Sequence, residues 1–340
     1  MKTVILGGGT WGVAMAIHLN RIGHEVVIWS ALQSELDTLA ESHAHPNLKG
    51  AVIPREIGFD ADIRCCSEAD MVVFAVPSVF VRTTAQRAAP YLHYGQLLVD
   101  LAKGIEPDTY MTMSQIIEEQ VNLGRDDRDR MHCVALSGPT HAEEVALNLP
   151  TAIVSASPDV QARNAVMQAF SSPTLRVYTA NDVLGVELCG ALKNIMALAA
   201  GICCGIGYGD NAKAALITRG MAEMARLGRA MGCDERTFWG LTGVGDLIVT
   251  ATSLHSRNNR AGMLIGQGMS AAEAAKSVGM VVEGLHALPA AVGLANRYGV
   301  DMPIVMGVRE IVEDGADPKD IVIRLMTRES KNEALDSQSK

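Results

Sequence analysis

Hydrophobic and polar positions change their period once along this chain of 340 residues. In the first half, short β-prone apolar runs alternate with helical stretches. The runs are Lys2–Leu6, Glu25–Trp29, and residues 71–76, 97–101, 133–136, 151–155 and 175–178. Residues 71–76 are apolar throughout and stop at Pro77-Ser78, the pattern of a strand buried on both faces of a parallel sheet. Residues 52–54 and 63–65 read as two further short strands. Helical spacing is expected over 13–22 and 110–123, residues 86–94 are expected in or just after a helix, and a short helix opens after Thr140. Beyond about Thr179 the strand patterns stop. Residues 183–327 carry helical spacing joined by Gly-rich connections, and Leu188, Leu192, Ile195, Met196 and Ala199 make one buried helix face. The pattern predicts an α/β chain. An N-terminal Rossmann-like, mostly parallel sheet domain (1–180) precedes an all-α C-terminal domain (181–330) and a flexible tail (331–340).

The first two strands frame Gly7-Gly8-Gly9-Thr10-Trp11-Gly12. Strand, Gly-x-Gly-x-x-Gly, helix, strand is the opening of a dinucleotide-binding unit. Gly7 permits the tight turn, Gly9 lets a pyrophosphate approach the backbone, and Gly12 lets the helix pack against the strand. The helix N-terminus then offers unpaired N–H groups to the phosphates. After the second strand, NAD enzymes often carry an acid and NADP enzymes a nearby arginine. Here the chain reads Trp29-Ser30-Ala31-Leu32, with neither. The missing base tilts the expectation slightly to NAD, while the missing acid removes the positive signature for it. The expected cofactor is NAD or NADP.

Five stretches carry candidate chemistry. Lys193-Asn194 interrupts the buried helix face. Desolvation there lowers a lysine pKa toward the range of a general acid or base; the alternative is a snorkelling lysine with its ammonium in water. Lys103 follows the strand over 97–101, at the carboxyl edge where open α/β sheets bind ligands; the alternative is a solvated loop lysine. Asp246 follows Gly243-Val-Gly245 and is expected to cap a helix. Ser256-Arg257-Asn258 suits a phosphate, with a planar charged fork between two neutral hydrogen-bonding neighbours. The alternative for Arg257 and Arg260 is a solvated helix face. Ser137-Gly138-Pro139-Thr140 opens a further short helix that could face an anion.

Composition narrows the classes. The net charge of −9 argues against nucleic acid as a general electrostatic partner. The 48% hydrophobic content supports substantial cores. Seven cysteines, with two vicinal pairs and no Cys-x-x-Cys, fit reduced thiols in the cytoplasm better than a disulfide framework or a metal site. The start of the chain lacks the shape of a secretory signal. Glu187, Lys193, Asp210 and Lys213 interrupt the longest apolar runs, so no membrane insertion is expected.

Together the motifs resemble the NAD(P)-dependent glycerol-3-phosphate dehydrogenases of the bacterial type. The resemblance runs from Gly7 to about Pro303. It rests on residues 7–12, 102–104, 137–145, 190–194, 209–220, 243–247, 256–258 and 282–284. It implies hydride transfer between the nicotinamide and C2 of dihydroxyacetone phosphate, giving sn-glycerol 3-phosphate for glycerophospholipid synthesis, in a homodimer. It implies that Lys193 is the proton donor and acceptor, with Asp246 orienting it and Lys103 touching both cofactor and substrate. Gly138, Thr140, Ser256, Arg257 and Asn258 would complete the substrate site, Arg257 on the phosphate. The cofactor would lie on Gly7, Gly9, Thr10, Trp11, Gly12, Lys103, Ala142, Arg257, Val281 and Glu283. Two other classes stay open on residues alone. One is a hydroxyacid dehydrogenase of related architecture; the other is a dinucleotide-binding sensor without turnover.

Overall fold

Apolar strands with no polar face must be covered on both sides, and this chain covers them with helices. A computed structural model describes residues 1–253 and 256–329. Eight strands form one sheet: β1 (Lys2–Leu6), β2 (Glu25–Trp29), β3 (Gly58–Asp60), β4 (Met71–Phe74), β5 (Leu97–Asp100), β6 (Cys133–Ser137), β7 (Thr151–Ala156) and β8 (Leu175–Ala180). Their order is β3-β2-β1-β4-β5-β6-β7-β8. Every pairing is parallel except β6 with β7, which is antiparallel. The order reverses at β1 and β4, the position where such sheets open a ligand crevice.

The first six helices are α1 (Thr10–Arg21), α2 (Gln33–Ser42), α3 (Val81–Ala88), α4 (Met113–Val121), α5 (Ala142–Ala146) and α6 (Val160–Phe170). Alternate residues of one strand feed opposite cores. Ile5 packs with Val13, Ile17 and Val73, whereas Val4 and Leu6 pack with Phe74, Val81 and Ile117. Helices α2 and α6 lie in stretches where no helix is predicted.

The second half is helical: α7 (Val183–Gly205), α8 (Asp210–Ala230), α9 (Glu235–Phe238), α10 (Asp246–Thr252), α11 (Arg257–Gly266), α12 (Ala271–Val278), α13 (Glu283–Tyr298), α14 (Pro303–Glu313) and α15 (Pro318–Met326). Helix α7 is its axis, touching α8, α10, α11, α13 and α14. Asp182 caps α7 by accepting from the Gly185 N–H at 3.0 Å and also holds the Asp234 N–H and the Thr237 hydroxyl of the α9 turn. Glycines let α11 lie against α7 backbone to backbone. A Cβ on Gly201 would sit 2.1 Å from the Asn259 carbonyl, and one on Gly262 2.1 Å from that of Leu198.

Four expectations are corrected. Residues 52–54 form no strand: Val52 is 72% exposed, and Ile53, buried in the core, gives its N–H to the His43 carbonyl at 2.8 Å in a loop instead of to a ladder. Residues 63–65 lie in a 3₁₀ turn, Ile63–Glu68, because Asp62 accepts from the Arg64 N–H and starts a turn instead of a ladder. The third strand is Gly58–Asp60. Helix α1 begins at Thr10, inside the glycine motif. Finally, the charges on α7 do not break its apolar run: Val183–Gly205 is long and apolar enough to cross a membrane by length and composition. Yet 89% of that window is buried inside the protein, as in the core helix of a folded domain. The tail expected over 331–340 lies outside the described residues.

Candidate active site

The glycine turn comes first in the chain and builds one wall. Gly7 has φ +131°, a conformation that L side chains rarely adopt, and its N–H donates to the Trp29 carbonyl at 2.8 Å. Gly12 packs so closely that a Cβ would lie 2.2 Å from the Gly7 carbonyl oxygen. Gly9, by contrast, has open space where its Cβ would be. It stands at the N-cap of α1 with no side-chain cap, so the first-turn N–H groups point outward. The Thr10 hydroxyl and the Trp11 indole N–H are buried without a partner among the described residues. Open backbone, unpaired donors and two orphaned polar groups fit the phosphates of a dinucleotide.

The second wall is α7 and α10. Lys193 projects from the middle of α7, with its side chain 8% exposed. Its ammonium donates to Asp246 Oδ1 at 2.8 Å and to Thr250 Oγ1 at 2.7 Å. Lys103, after β5, donates to Asp246 Oδ2 at 2.7 Å and to the Gly138 carbonyl at 3.0 Å. One carboxylate, 1% exposed, thus holds two ammoniums from the two halves of the chain. Gly190 makes the approach possible: its Cβ would contact Ser137 and the Lys103 stem. Asp246 therefore does not cap α10. Gly245 holds that position after a single π-turn over Leu241–Gly245, and the carboxylate is committed to the lysines.

Burial pulls the Lys193 ammonium down to about 8; Asp246 opposes the fall, and Lys103 and Arg257 add to it. Burial alone would raise the Asp246 carboxyl, but Lys103 and Lys193 together hold it below the usual carboxylate range. The site keeps an ammonium within reach of its neutral form near pH 8.

The remaining expected residues divide. Arg257 is half-buried at the start of α11, touches the Val281 carbonyl at 3.4 Å, and is pushed down by burial against the pull of Glu283 and Glu143. Glu283 opens α13 and accepts from the Ser78 N–H at 3.1 Å and from the Ser78 hydroxyl, joining the helical half to the turn after β4. Ala142 opens α5, which packs on α1. The Thr140 hydroxyl donates to the Gly138 carbonyl at 3.2 Å. Ser256 caps α11 through the Asn259 N–H. Asn258 donates to Asn194 at 2.9 Å and accepts from the Gly284 N–H at 2.8 Å, which ties α7, α11 and α13 together. Ser256 and Asn258 are thus engaged in holding the wall on which Arg257 stands.

Sequence reasoning did not single out Thr250, Ser78, Asp100 or Glu187. Thr250 lies one helical turn after Asp246, so an i, i+4 reading of α10 would have found it. Asp100 and Glu187 are fully buried behind Lys103, and burial pushes both carboxyls up. Glu187 accepts from the Thr112 and Ser114 hydroxyls and the Ser114 N–H. Those partners are about 75 residues away in sequence, which no local pattern reveals.

The chain matches two family models. Residues 2–163 match the NAD-dependent glycerol-3-phosphate dehydrogenase N-terminus and residues 182–323 its C-terminus. The chain belongs to the NAD-dependent glycerol-3-phosphate dehydrogenase family. Among its relatives, glycerol-3-phosphate dehydrogenase [NAD(P)+] 2 of Lactobacillus delbrueckii subsp. bulgaricus is 56% identical over 98% of both chains. The glycerol-3-phosphate dehydrogenase [NAD(P)+] of Thermoanaerobacter sp. is 46% identical, covering 98% of this chain and 99% of that one. A crystal structure of glycerol-3-phosphate dehydrogenase from Coxiella burnetii superposes with a TM-score of 0.88 at 33% identity, over 96% of this chain and 99% of the other. The dehydrogenase is therefore an oxidoreductase with a Rossmann-like sheet domain and a helical second half.

Proposed function

We propose that the enzyme reversibly reduces dihydroxyacetone phosphate to sn-glycerol 3-phosphate, with NADH or NADPH as the bound nucleotide. The observation that carries this reading is the buried Lys193 ammonium held by Asp246 and Thr250 beside Lys103. When bound, the nicotinamide supplies the reducing equivalent; the chain supplies charge, position and a proton. As the ketone is reduced, its oxygen gains negative charge, and Lys193 stabilises that charge and gives up a proton from Nζ. Asp246 and Thr250 fix the direction of that ammonium, so little reorganisation is needed at the moment of reaction. In the reverse direction neutral Lys193 takes the hydroxyl proton. Positioned proton transfer contributes about 10²–10⁴-fold.

Lys103 adds a second positive charge to the same carboxylate and lies between the two halves, where both nucleotide and substrate would meet it. Arg257 is the phosphate anchor: among the described residues its guanidinium makes a long contact to the Val281 carbonyl, Ser256 and Asn258 hold the start of its helix, and the Gly138 carbonyl accepts from Lys103 and Thr140. A charge-assisted bond to the non-reacting end is worth about 1.5–3 kcal/mol and helps hold C2 in place. Thr10, Trp11 and the α1 amides would meet the pyrophosphate, with Ala142, Val281 and Glu283 completing that wall. The boundary between a nucleotide unit (1–180) and a catalytic unit (181–330), a homodimeric assembly, a cytoplasmic location and a product destined for glycerophospholipids belong to the same proposal. The seven free thiols favour a reducing compartment.

The test is oxidation of NADH and NADPH, followed by the absorbance of the reduced nucleotide, with dihydroxyacetone phosphate and with phosphate-free hydroxyacids and ketones. Turnover of the phosphorylated ketone is expected. Preferred turnover of an unphosphorylated hydroxyacid or its ketone would overturn the assignment.

A further inference from the structure

The turn after β2 lacks the acid that reads an adenosine ribose in many NAD enzymes. The fold brings one there from elsewhere. Glu35 is the third residue of α2, and its side chain does not run out into solvent. It turns back across the β2–α2 connection, where Oε2 accepts the Ser30 hydroxyl at 2.5 Å. The same oxygen lies against the glycine turn: a Cβ on Gly8 would sit 2.8 Å from it. The carboxylate thus stands between the loop expected to hold the pyrophosphate and the first residue beyond β2. That is the place an adenosine ribose occupies when such a loop is loaded.

A helix N-terminus favours an acid anywhere in its first turn, so the dipole explains why a glutamate is tolerated at this position. It does not require the carboxylate to lie on Gly8. No ion pair to Glu35 exists among the described residues, and no Lys or Arg occurs in the chain between Arg21 and Lys49. His45, which feels the Glu35 charge, has its pKa lowered by burial. Nothing basic on this connection would welcome a 2′-phosphate.

We propose that Glu35 is the ribose-reading acid of this enzyme, accepting from the adenosine ribose diol and repelling a 2′-phosphate, so that the chain selects NAD(H) over NADP(H). The inference rests on the reading of the glycine turn as the dinucleotide site. Ser30 orients the carboxylate by holding one oxygen and leaves the other for the diol.

The test is equilibrium binding of NADH and NADPH to the full chain, read by nucleotide fluorescence and repeated with 5′-AMP and 2′,5′-ADP as competitors. The wild type is expected to bind NADH at least about tenfold more tightly than NADPH, as one lost charged hydrogen bond and one added repulsion require. Glu35→Gln should shrink that ratio to about threefold or less, chiefly by tightening NADPH and 2′,5′-ADP. Ser30→Ala keeps the charge and frees its orientation, so it should weaken NADH several-fold without tightening NADPH. Equal affinities in the wild type, or a ratio unmoved by Glu35→Gln, would overturn the proposal while leaving the dinucleotide site intact. A lower melting temperature with an unmoved ratio would assign Glu35 to helix capping. Failure of both nucleotides to bind would overturn the dinucleotide reading as well.

Discussion

Lys193 shows how one residue acquires its chemistry from its surroundings. Apart from Asn194, its nearest neighbours along α7 are apolar or small, and its charge is tolerated because Asp246 and Thr250 come to it from α10. Lys193→Met should lower turnover by about 10²–10⁴-fold while NADH binding persists; near-normal turnover would remove the residue from the mechanism. The sign of the pH dependence follows from its depressed pKa. Ketone reduction needs the ammonium, so kcat/KM should be level below about 8 and fall above it. Alcohol oxidation needs the neutral amine, so its kcat/KM should rise up to about 8 and then level off. Profiles measured in both directions decide this, and the same sign in both would exclude a single shared group. Arg257 is tested by substrate choice. Arg257→Ala should raise KM for the phosphorylated ketone by about 10–100-fold and leave a phosphate-free analogue nearly unaffected. Equal losses for both would assign the arginine to the wall instead of the anchor.

At the scale of elements, the position of Lys193 depends on how closely helices can lie. The contact between α7 and α11 is backbone against backbone because Gly201, Gly205, Gly262 and Gly266 carry no side chain. Gly262→Ala would place a methyl 2.1 Å from the Leu198 carbonyl, which cannot move without moving α7. A loss of about 1–3 kcal/mol in stability is expected, read as a lower midpoint in urea unfolding. An unchanged midpoint would mean that the helices separate at no cost. Much at this scale was legible in the chain. The strand patterns located seven of the strands because central strands such as β4 are apolar throughout and the others carry short β-prone apolar runs. They missed β3, three residues at the sheet edge with no continuous apolar run, and misread 52–54 and 63–65, where local loop and capping hydrogen bonds outweigh β propensity.

For the whole molecule, the two halves meet through hydrogen bonds of charged groups that cross from one to the other. Lys103 reaches Asp246, and Glu283 reaches Ser78. The proposed homodimer predicts a light-scattering mass of twice 36.2 kDa, and a single mass of 36.2 kDa at assay concentration would reject it. What the sequence determined by itself was whatever depends on near neighbours: the glycine turn, the period of α7, the unusual placement of Lys193 and the family motifs. Only the tertiary structure decided that Asp246 holds two lysines instead of capping a helix, that Asn258 braces three helices, and that Glu35 lies on the glycine turn. Those outcomes depend on which distant groups share one desolvated space. A buried charge takes the partner that packing brings within hydrogen-bond reach, and no spacing along the chain encodes that distance.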